Sequence, residues 1–143
     1  MKRNRVTGGF VLLEVLVALV VFSLGLLGML GFQASAMSIA TDSRFRTEAA
    51  MLADELIGKM NASSMSTVRT DFAANGSKYL DWYNNRVKGN AKLPNATASV
   101  TFSNTVTADT WIATVRLEWD MPGSSGEATD VRHGKYVTQA MLF

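Results

Sequence analysis

"GGFVLLEVLVALVVFSLGLLGMLGF", residues 8–32, is the stretch on which the reading of this 143-residue chain turns. From Phe10 to Phe32 only Glu14, Ser23 and the glycines at 25, 28 and 31 interrupt an aliphatic and aromatic run. As a helix rising about 1.5 Å per residue, the run reaches about 34 Å. That exceeds the roughly 30 Å of a bilayer's hydrocarbon core. Lys2, Arg3 and Arg5 precede it. Basic residues on one flank place that end in the cytoplasm and the remainder of the chain outside.

Working outward, the charge resolves into a leader and a neutral remainder. The chain carries 14 Lys and Arg against 12 Asp and Glu, with a pI near 9.1. Without residues 1–9 the count is 11 against 12, and from Gln33 onward 11 against 11. The basic pI therefore belongs to the leader, and charge gives no support for a nucleic-acid partner. There is no cysteine, which excludes disulfides, thiolate chemistry and a zinc site of the usual Cys/His type.

The leader and apolar run admit several readings. One is a signal peptide cut after the Ala34-x-Ala36 pattern in "QASAM", and another is an uncut signal anchor. Neither accounts for Gly8-Gly9 at the head of the run or for Glu14 inside it. A carboxylate at the centre of a membrane helix costs about 2.5–3.5 kcal/mol on insertion scales, and such a residue is functional by default, with a partner to be named. No Lys, Arg or His lies between Val6 and Arg44. A cut between Gly9 and Phe10 creates the missing cation, an α-ammonium four residues from Glu14.

These residues carry a resemblance. "GGFVLLEVLVALVVFSLGLLGMLGFQ" resembles the class III signal and N-terminal helix of type IV pilin-like proteins, and within them most resembles the PilV-type minor pilins. The match covers about residues 5–35. It implies that a prepilin peptidase cuts after Gly9 and methylates the amine of Phe10. Glu14 would then compensate the ammonium of a neighbouring subunit in a filament core, since a buried charge is tolerated when paired and penalised when alone.

The resemblance further implies an inner-membrane protein later packed into an extracellular pilus. Its partners would be the prepilin peptidase, other major and minor pilins, the inner-membrane assembly machinery and, before assembly, membrane lipid. A pseudopilin of a type II secretion system shares the cut site and Glu14, and a signal-anchored exported binding domain is the more distant alternative.

From Gln33 to about Met60 the apolar residues become periodic. Phe45, Ala49, Leu52, Leu56 and Met60 form one stripe of an amphipathic helix. The two segments read as one long helix, ended by "NASS" (Asn61–Ser64). "SKYLDWYNNRVKGN" (Ser77–Asn90) predicts a second helix with Leu80, Tyr83 and Val87 on one face and Gly89 as its stop. Strands are expected over Ala96–Asn104, over "TWIATVRLEW", and over Lys135–Phe143, with a loop at Pro122–Asp130. In the middle strand Trp111, Ala113, Val115, Leu117 and Trp119 share one face and Arg116 and Glu118 the other.

The expected fold is therefore α+β: a long N-terminal helix on a small antiparallel sheet, the architecture the pilin resemblance also implies. The expected organisation is a leader at 1–9, a membrane or filament-core helix at 10–32, its amphipathic continuation at 33–62 and a globular head at 63–143. No active site, metal or cofactor is expected. His133 stands alone without triad spacing, Trp82 and Tyr83 with Arg86 and Lys88 read as helix packing, and the sequons at Asn61, Asn75 and Asn95 are of a kind common by chance.

Overall fold

A computed structural model describes residues 8–89, 92–104, 110–121 and 133–143. The basic leader residues and the loop expected over Pro122–Asp130 lie outside the described residues. Helix α1 runs unbroken from Gly8 to Asn61, with no proline along it to remove a backbone donor. Past its end the Ala62 and Ser63 amides donate to the Gly58 and Met60 carbonyls, both at 3.0 Å, and close the last turn.

The chain divides into two compact units, residues 1–40 and 41–143. In the first, the described residues are all helix, and every one from Gly9 to Ala40 is exposed. By length and composition this segment is apolar enough to cross a membrane.

The second unit holds the rest of α1 together with α2 (Met65–Asp71) and α3 (Ser77–Trp82). A π-helical stretch, Tyr83–Lys88, continues α3. The sheet consists of β1 (Thr97–Asn104), β2 (Trp111–Asp120) and β3 (His133–Leu142), antiparallel in the order β1-β2-β3. The long helix packs on this sheet through the stripe read from the sequence. Phe45, Ala49, Leu52, Leu56 and Met60 are all buried, with Ala53 beside them. The two alanines are wholly buried.

Facing the helix, β2 contributes Ala113, Val115, Leu117 and Trp119, each without solvent exposure. Their neighbours fill the same layer. Ala98, Val100 and Phe102 of β1 lie opposite Leu117, Val115 and Ala113, and Tyr136, Thr138 and Ala140 of β3 complete the rows. Trp119 stands opposite Gly134, where a Cβ would fall inside the indole ring. Residue 134 is glycine because the large side chain across the ladder occupies its space.

The structure corrects the sequence reading in three places. First, α2 occupies a stretch that no motif singled out, and Val68 with Phe72 just beyond it enters the core. Second, α3 buries Tyr79 and Trp82 and leaves Leu80 partly exposed, so the expected Leu80 face is rotated. The Tyr79 hydroxyl reaches the Ala98 carbonyl on β1 at 2.7 Å, which fixes the rotation and covers part of that sheet edge. Third, β3 begins at His133, because the ladder continues through the pair Asp120 and His133.

Candidate functional site

Gly9, Phe10 and Glu14 stand on the first two turns of α1. Phe10 is 70% exposed, and Glu14 lies one helical turn further along the same side, about 6 Å up the axis. Among the described residues, a Cβ built at Gly9 meets nothing within 4 Å. No cationic side chain of the same helix stands within the first nine turns, and Glu14 has only apolar neighbours on its own strip, Phe10, Val11, Val17 and Ala18. The arrangement offers a single carboxylate on an exposed apolar stretch of helix.

Further along, the Ser23 hydroxyl donates to the Leu19 carbonyl at 2.7 Å, so this polar group is satisfied within the helix. Gly25, Gly28 and Gly31 have no atom within 4 Å of an added Cβ. The first residue of α1 to be buried is Phe45, so the eight residues from Gln33 to Ala40 join the exposed segment and the helix becomes part of the head beyond them.

In the head, the charged groups tie elements together. Glu55 on α1 accepts from Arg86 at 2.8 Å and pairs with Lys59 at 3.1 Å. Partial burial opposes ionisation of Glu55, but the hydrogen bonds from Arg86 and Lys59 outweigh it, and its carboxyl lies below the usual glutamate value. Lys78 bridges Asp71 at 3.0 Å and the Ser63 hydroxyl at 3.2 Å, linking the ends of α1 and α2 to α3. The Lys78 hydrogen bond holds the Asp71 carboxyl below its usual value. Burial raises the Tyr79 phenol above its usual value, and Tyr83 adds to the shift.

The basic and aromatic residues at 82–88 are engaged in packing. Trp82 is fully buried, Tyr83 stacks on Tyr79 with ring centroids 5.7 Å apart, and Lys88 lies over Tyr83 at 5.1 Å. His133 Nδ1 sits 3.0 Å from an Asp120 carboxylate oxygen, and the Asn95 amide donates to the other oxygen at 2.7 Å. That cluster, invisible in the sequence, pins the approach to β1 onto the β2–β3 ladder, with the Asp120 amide donating to Pro94 at 2.9 Å.

Asn95 adopts φ 49°, a left-handed conformation that asparagine tolerates. Asn61 and Asn75 are exposed. Among the described residues no group of three His, Asp or Glu side chains is placed to hold a metal ion. A cleft of about 400 Å³ lies among Lys59, Ser63, Phe72 and Lys78, whose lysines are already paired as described.

Set against known protein families, characterised proteins and solved structures, the chain matches none.

Proposed function

We propose that the chain is a minor pilin, a structural and assembly component of a type IV pilus. One observation carries the reading: a lone carboxylate, Glu14, placed one turn beyond the Gly9–Phe10 junction on an apolar helical segment whose described residues are exposed. In the proposed sequence of events, the exposed segment rests in the inner membrane with the head on the outer side. A prepilin peptidase removes residues 1–9 and methylates the new amine of Phe10. During assembly the segment leaves lipid for a bundle of like helices, where Glu14 meets the ammonium of a neighbouring major or minor pilin. Such a pair acts as a register device, since desolvation offsets most of its attraction while an unpaired charge is strongly disfavoured.

The head's role is then to present its surface outside the filament core, held on α1 by the Phe45–Met60 stripe. N-terminal sequencing of the mature protein tests the reading. A methylated Phe10 terminus is expected; a start at Met37 or an intact leader refutes it. Recovery of the processed chain in sheared pili, as opposed to a secretion complex, separates a minor pilin from a pseudopilin of a type II secretion system.

A further inference from the structure

Ala73 to Gly76 form a tight turn between α2 and α3, closed by the Gly76 amide donating to the Ala73 carbonyl at 2.8 Å. Asn75 is exposed at the third position of the turn, and Gly76 is buried as the N-cap of α3. Residue 76 has to be glycine, because a Cβ there would overlap the carbonyls of Thr70 and Asp71. Packing at the α2–α3 junction therefore forces glycine to follow an asparagine. In that dipeptide no side chain shields the backbone nitrogen from the preceding side-chain amide.

We propose that Asn75–Gly76 is a site of covalent self-modification, suppressed in the folded head and released when the α2–α3 junction opens. The Gly76 nitrogen, giving its proton to a solvent base, bonds to Asn75 Cγ. The Cγ–Nδ2 bond breaks, and that nitrogen takes a proton from water and leaves as ammonia. Water then opens the cyclic imide at either carbonyl, giving aspartate or isoaspartate. Solvent supplies every co-reactant, and no electron transfer is involved.

The folded structure restrains both ends of the reacting link. The Gly76 N–H is held by Ala73, and the Gly76 carbonyl accepts from the Leu80 amide at 2.9 Å. Turning the Gly76 nitrogen onto the Asn75 side chain breaks the first bond and disturbs the second, so the reaction follows the population of locally opened chains. Isoaspartate lengthens the main chain of the turn by one carbon, immediately ahead of Gly76, where contact with Thr70 and Asp71 leaves no room for a Cβ. A chain that has reacted this way retains a record of having opened. The inference does not depend on the pilin reading.

The test is peptide mapping by mass spectrometry of the full chain, held in detergent at mildly alkaline pH with and without guanidinium. Conversion at Asn75 is expected to run several-fold faster in the unfolded chain. It should also outpace conversion at Asn84 and Asn85, neither of which precedes glycine. Asn75→Gln should abolish the modified peptide while leaving the folded spectrum unchanged. Equal rates in folded and unfolded chains overturn the proposal. So does an unfolded chain in which Asn75 is no faster than Asn84 and Asn85.

Discussion

Truncating Leu56 to alanine is expected to unsettle the head, whereas the same change at Ile39 should not. Leu56 is wholly buried between α1 and the sheet, and Ile39 on the same helix is 70% exposed. Leu56→Ala removes three carbons from the core, about 2.4 kcal/mol at roughly 0.8 kcal/mol each. The residual cavity raises the cost to about 3–4 kcal/mol, a large share of the roughly 5–15 kcal/mol that a domain possesses.

The assay is guanidinium unfolding of the full chain in detergent, followed by fluorescence of the core tryptophans Trp82 and Trp119. An unchanged slope with a midpoint lower by about 1 M is expected for Leu56→Ala. Ile39→Ala should move the midpoint by no more than experimental scatter. Equal effects of the two variants would refute the argument that α1 becomes part of the head only beyond its exposed segment.

Three further outcomes follow from named contacts. Gly134→Val drives a side chain into the Trp119 indole and is expected to destabilise the head by about 1–3 kcal/mol, read in the same titration. Because the folded Glu55 carboxyl lies below its usual value of about 4.5, its contribution is complete above that pH and lost as pH falls through the lowered folded value. Arg86→Ala should flatten this acid-side loss in unfolding measured from neutral to acidic pH, since Arg86 supplies the first of the bonds that lower it. Glu14→Ala should leave membrane insertion intact and sharply reduce recovery in sheared pili. Undiminished recovery would count against pairing between Glu14 and a neighbouring ammonium.

Much of the architecture could be read directly from residue order. The stripe Phe45, Ala49, Leu52, Leu56 and Met60 is visible because a helix repeats every 3.6 residues, and each member is buried. The alternation from Ala113 to Trp119 is visible because a strand repeats every two. Short helices escape this kind of reading. In α2 only Val68 is buried, so its seven residues show no period, and its place was settled by Val68 and Phe72 filling space in the core. The face of α3 likewise depended on the Ala98 carbonyl, which lies 19 residues away in the chain.

The sequence by itself determined the apolar run, the glycine pair at its head, the isolated carboxylate at Glu14 and the periodic faces of the long helix and the sheet. All of these are properties of neighbouring residues and of the local repeat. Only the tertiary structure decided where α1 starts to belong to the head, why residues 76 and 134 are glycine, and that Asn95, Asp120 and His133 meet. Each of these depends on which atoms occupy the space beside a residue. That space is filled by side chains and carbonyls whose separation along the chain bears no relation to their separation in the fold.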